Sequence, residues 1–136
     1  MIIYAMEESF MSMTELLVWL YLINSVLLVN HEIDSAYWNE WKLFKLPGGI
    51  NGFLVVHFPL LFLVFYGMIL VYQGSQMGLI FSLGLSFAGI FAFIAHMYFI
   101  KNGRNEFNVP ISLFILVSVL IVSLIQGAVT LYLLLE

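Results

Sequence analysis

No cysteine occurs among the 136 residues, and only four residues are lysine or arginine. The first absence excludes disulfides and thiolate metal sites. The second leaves no basic patch for nucleic acid, and the net charge of −4 points the same way. Charged residues of both signs make up 9% of the chain, against about 25% in a soluble protein. What is present instead is apolar: 63% of residues are hydrophobic and the mean hydropathy is +1.08. A soluble domain of this length would bury only about two-thirds of its surface, and so few polar side chains could not cover the rest. The chain therefore reads as an integral membrane protein forming a single domain over residues 1–136. Its opening stretch, MIIYAMEESFMSM, lacks a positive leader region and carries Glu7 and Glu8. That pattern predicts a retained first helix, not a cleaved signal peptide.

Four apolar segments, at roughly 14–35, 51–73, 77–100 and 109–135, each exceed the length of about twenty helical residues that crosses a hydrocarbon core. They are continuous rather than alternating, which excludes membrane β-strands of about ten residues. The expected fold is all-α: a four-transmembrane-helix bundle running up-down-up-down. The first helix is expected to continue toward Trp41 until Pro47, Gly48 and Gly49 break it, with Asn51 capping the next. Gly103 suits a left-handed residue after the third helix, and Asn108 and Pro110 suit the start of the fourth.

All four basic residues fall in two connections, Lys42 and Lys45 in the first and Lys101 and Arg104 in the third. The positive-inside rule makes that side cytoplasmic and leaves both termini outside. The expected location is a bacterial inner membrane, with membrane lipids as neighbours. Small residues on the helix faces suit packing within the bundle or against a second copy, giving a homo-oligomer. Among them Gly84, Ala88 and Ala92, four apart, are expected to pack helices and not to bind substrate.

Three histidines end up at the cytoplasmic end of three different helices: His31 where the first helix ends, His57 about two turns into the second, and His96 about one turn before the end of the third. His57 and His96 are flanked by apolar residues, and an ionisable side chain within a span usually faces the bundle interior and a partner. In the segment NHEIDSAYWNEW, helical phase puts Asn24, His31, Asp34, Trp38 and Trp41 in one stripe, with Glu32 beside it. On the third helix Gly78, Ser82, Ser86, Gly89, Phe93 and His96 form a seam. The fourth offers Ser112, Ser123, Gln126 and Thr130. On the second, Pro59 removes an amide and crowds the carbonyl of Val55, which predicts a kink near His57.

Three imidazoles and a carboxylate make a metal shell, and zinc in catalytic sites takes three protein ligands and leaves a position for water. His31, Asp34, His57 and His96 are therefore the expected metal ligands, with zinc the expected ion and iron or haem the alternatives. Asp34 is either a ligand or the group that orients His31. Glu32 or Glu40 is a candidate general base, and Glu32 is the one taken as catalytic. The plain structural alternatives are that Tyr37, Trp38 and Trp41 form an interfacial belt, that each histidine bonds a serine, and that Glu40 and Glu106 are solvated loop charges.

The chain resembles small bacterial four-helix membrane proteins of unknown function whose first helix ends in a His-x-x-acid motif, including the group called HXXEE. His31 and Asp34 match its histidine and first acid, while Ser35 stands where its second glutamate would be. The resemblance implies a membrane enzyme with no assigned reaction. In its ligand set alone, the chain also resembles intramembrane zinc hydrolases of the ceramidase and progestin-receptor type, which have seven spans. The leading expectation is a metal-dependent hydrolase of a lipid or amphiphile that enters sideways. A haem-binding electron carrier and a non-catalytic interaction or transport protein are the alternatives.

Overall fold

The computed structural model describes residues 2–104 and 107–136, with side chains from residue 13 onward. Among the described residues the chain is helical and has no strand: α1 (Ile2–Tyr37), α2 (Glu40–Leu43), α3 (Gly49–Tyr72), α4 (Gln76–Lys101) and α5 (Pro110–Leu135). Four of these are long and apolar enough to cross a membrane, over Met13–Tyr37, Gly49–Tyr72, Gln76–Lys101 and Pro110–Leu135. The shortest, at 24 residues, extends about 36 Å at about 1.5 Å per residue, beyond the roughly 30 Å of a hydrocarbon core. Large apolar side chains cover the outside, Trp19, Phe58, Phe62, Phe87 and Phe114 among them. In water such a surface would aggregate, and in a bilayer it faces lipid. The protein is an integral membrane four-helix bundle.

The helices form a ring in which α1 and α4 each pack against both α3 and α5. Helix α5 buries Ser112, Leu116, Val119, Ser123, Gln126, Thr130 and Leu133, a three-four repeat that turns one stripe inward. The seam foreseen on α4 is there: Gly78, Ser82, Ser86, Gly89 and His96 are buried. At Gly89 the approach to α5 is so close that a Cβ would overlap Ser123 Oγ. Inside lipid, polar groups must find partners in the bundle. Asn24 donates to Ser123 Oγ at 3.0 Å and to Gln126 Oε1 at 2.9 Å, and Gln126 Nε2 donates to Ser82 Oγ at 2.9 Å. Ser82 and Thr130 share a further hydrogen bond of 2.8 Å. This network ties α1, α4 and α5 together. Helix α3 is held more lightly, burying only Phe53, Gly67 and Val71.

Several local expectations are corrected. The first helix does not run on to Trp41. It ends at Tyr37, and Asn39 takes a left-handed conformation (φ 58°) before the four-residue α2, a geometry that asparagine tolerates better than most residues. Gly48 and not Asn51 precedes α3, and Val109 rather than Asn108 precedes α5, with Pro110 in its first turn. Gly103 is left-handed, as expected. Helix α3 spans Gly49–Tyr72 with Pro59 inside it, the position where a kink is expected. Gly84 and Ala88 do not pack against another helix of the same chain: both are exposed, and a Cβ on Gly84 would meet nothing within 4 Å. The expectation for Glu106 lies outside the described residues.

Candidate metal centre

The end of α1 is positioned by its inward stripe. Leu17, Tyr21, Asn24 and Leu28 are buried, and one further turn puts His31 on the same face, 2% exposed. His96 arrives from α4 along its small-residue seam and is 1% exposed. The two rings meet edge to face with centroids 4.6 Å apart. Phe107, fully buried between α4 and α5, lies edge-on against His96 at 4.2 Å and closes the site from that side.

The third member is Glu40. The left-handed turn at Asn39 redirects the chain, so that α2 crosses the end of the bundle and its first residue points inward, 9% exposed. One donor atom each of His31, Glu40 and His96 lie within 4.8 Å of one another. Glu40 Oε1 is 3.6 Å from His96 Nε2, close to the roughly 3.4 Å expected between two ligands each about 2.1 Å from a tetrahedral zinc. Hydrogen bonding places one proton of His96. Its Nδ1 is 2.7 Å from the carbonyl of Ala92, and a carbonyl can only accept, so Nδ1 carries the proton. When the ring is neutral, His96 turns the Nε2 lone pair toward Glu40. That nitrogen is buried and has no hydrogen-bond partner. A lone pair facing a carboxylate out of contact with water is repulsive unless positive charge lies between them, either a proton on the ring or a metal ion. His31 Nδ1 is likewise buried without a partner.

His57 is engaged differently. Its Nδ1 donates to the carbonyl of Phe53 at 2.7 Å, its ring stacks on Phe53 at 3.7 Å, and its Nε2 is 2.6 Å from Glu32 Oε2. By the same logic a single proton lies between Nε2 and the carboxylate. Both pairs, Glu32–His57 and Glu40–His96, line one cavity of about 240 Å³ together with His31. Its other walls are apolar, among them Leu28, Phe53, Leu85 and Ala95.

The structure thus brings His31 and His96 together, places His57 on the same cavity in a pair with Glu32, and leaves Asp34 outside the cluster. Asp34 Oδ2 is buried without a hydrogen-bond partner, but Asp34 does not line the cavity. Glu40 is not the solvated loop charge expected from the sequence, because α2 folds it under the bundle. Phe107 is not among the residues that helical phase singles out, although a lone phenylalanine in the polar stretch GRNEFNVP is the signal that marks it.

No curated protein and no solved structure matches the chain. A family model described as a family of unknown function, DUF6713, matches residues 17–133, a stretch that holds all four spans nearly whole and every residue of the cluster. The chain belongs to that family, DUF6713.

Proposed function

We propose that His31, His96 and Glu40 hold one divalent metal ion, zinc in the first place, and that the protein is a metal-dependent membrane hydrolase of an amphiphile. The observation that carries this reading is the buried, unpartnered Nε2 of His96, turned toward Glu40 with His31 alongside. Two histidines and one glutamate are a donor set that catalytic zinc uses with a fourth position left for water. The same donors suit ferrous iron. Ring centroids 4.6 Å apart favour a small ion over a haem, because the imidazoles are in contact and leave no gap for a macrocycle.

A bound zinc would polarise a substrate carbonyl and lower the pKa of bound water. The chain's own residues supply the rest. The Nδ1–H bond to Ala92 holds His96 in the ligating tautomer. Glu32, steadied by His57, takes the proton from water as its oxygen attacks the carbonyl carbon. As the C–O bond of an ester breaks, the same pair returns that proton to the departing oxygen, giving a carboxylic acid and an alcohol. The apolar walls of the cavity keep bulk water from the reacting groups. We further propose the orientation given by the basic residues, with the centre on the cytoplasmic side of a bacterial inner membrane. Kinship with the HXXEE group is supported by His31 and Asp34 alone.

Elemental analysis with a visible spectrum of protein purified without chelator tests the reading. The expected result is about one zinc per chain and no colour, whereas haem would give an intense Soret band. Glu32→Gln should keep the metal and lose hydrolysis of long-chain esters. A folded, colourless protein without metal would refute the proposal.

A further inference from the structure

The stripe of small residues on α4 has a place that packing does not explain. Gly84 and Ala88 are exposed and line an apolar groove of about 330 Å³ between α3 and α4, whose other walls include Leu63, Ile80 and Phe81. Tyr21 lies against the same groove, its hydroxyl bonded to the carbonyl of Val64 at 2.9 Å. The groove is not separate from the histidine cavity, since Leu60, Val64, Leu85 and Ala88 line both. Ala92 and Ala95 continue the stripe along the cavity to His96. A path with apolar walls thus leads from the lipid-facing side of the bundle to a buried imidazole nitrogen that has no hydrogen-bond partner and faces Glu40.

The length of this path identifies the occupant. Gly84 and His96 are twelve residues apart on one helix, about 18 Å, and one leaflet of a hydrocarbon core is about 15 Å thick, half of roughly 30 Å. A helix from a second copy, about 10 Å across, could cover the groove but could not follow it into the cavity. An acyl chain can do both. Its far end would lie near Gly84 and its carbonyl end near the charged cluster, the polarity a lipid of that leaflet already has. The absence of a Cβ at Gly84 keeps the deep end open.

We infer that the α3–α4 groove holds one acyl chain of a membrane lipid from the leaflet nearest the cluster, placing its ester or amide linkage beside His31, His96 and Glu40. The substrate class is thereby a long-chain acyl lipid that reaches the centre without leaving the bilayer. The position assigned to the linkage rests on the metal-centre reading above, while occupation of the groove does not. Binding should depend on chain length, because a short chain leaves the Gly84 end unfilled and forgoes the packing contacts there.

The full-length protein in dioleoylphosphatidylcholine vesicles containing a phosphatidylcholine with a diazirine at the end of one acyl chain provides the test. Photolabelling, mapped by peptide mass spectrometry, should concentrate on Leu60–Val64 and Ile80–Ala88 rather than on the equally lipid-exposed outer face of α5 around Phe114 and Val117. Gly84→Phe and, separately, the milder Gly84→Leu should lower that labelling at least fivefold with zinc content unchanged. Labelling spread evenly over every lipid-facing helix would overturn the inference. So would labelling that persists in both variants, or a disulfide-linked dimer formed by Gly84→Cys in place of the lipid adduct. The unsubstituted protein alone decides the first point, so a misfolded variant does not stall the test. Groove labelling in a preparation without metal would support the acyl site while the metal reading fails, and an evenly labelled protein with full zinc would do the reverse.

Discussion

Truncating Glu40 to alanine should weaken zinc binding by about a hundredfold or more while leaving the metal-free bundle at least as stable as before. Structural zinc sites with four ligands contribute about 10–16 kcal/mol, so one ligand accounts for roughly 3 kcal/mol, or about two decades in Kd. The metal-free protein feels the opposite effect. Glu40 is 9% exposed, and its Oε1 lies 3.6 Å from His96 Nε2. With His96 neutral, removing a carboxylate so placed relieves its desolvation and its repulsion with the imidazole. A residue that only held the fold would show the reverse, with stability lost and metal unaffected. The assay is a zinc titration in detergent against a chromophoric chelator of known affinity, paired with SDS-induced unfolding of the apoprotein followed by circular dichroism. Glu40→Gln should behave like the alanine variant, because the amide lacks the charge. His57→Ala should change zinc affinity by less than about tenfold, since His57 is committed to Glu32 and Phe53. If Glu40→Ala bound zinc as tightly as the unsubstituted protein while His57→Ala lost it, the ligands would be the histidine triad expected from the sequence and the reasoning from geometry would be wrong.

Asn39 should act on the centre through Glu40: Asn39→Val places a β-branched residue at φ 58°, costing about 1–2 kcal/mol, and should weaken zinc binding roughly tenfold in the same titration, whereas Asn39→Gly should not. Gln126→Leu deprives Asn24 and Ser82 of hydrogen bonds and should lower stability toward SDS by about 1–2 kcal/mol with zinc content intact, a separation that distinguishes the structural network from the centre. For orientation, the absence of native cysteine makes labelling clean: Gln73→Cys and Asn102→Cys are both at exposed positions, and an impermeant maleimide should label Gln73→Cys in intact cells and Asn102→Cys only once the membrane is opened. Labelling of both from one face would contradict the direction read from the lysines and arginine.

The sequence alone determined the class, the four spans and much of the inward face of each helix. These are legible because a bilayer requires about twenty consecutive apolar residues per crossing and because helical periodicity links residues three and four apart to one face. Asn24, His31, Ser82, His96 and Gln126 all turn inward as their spacing predicts. What phase could not foresee is where a helix stops. A single left-handed residue, Asn39, ended the periodicity on which the stripe through Trp38 and Trp41 depended, and it turned Glu40 from an apparent loop charge into the partner of His96. Pairings between helices were equally hidden, since His57 lies at the right end of the right helix yet meets Glu32 and Phe53 through rotations set by the whole ring of contacts. Gly84 shows the same limit from the other side: its small-residue spacing is that of a packing seam, but only the position of α3 decides that nothing covers it. Local periodicity depends on neighbours along the chain, whereas the centre and the groove depend on how three helices and a four-residue turn settle against one another, and that arrangement belongs to the tertiary structure alone.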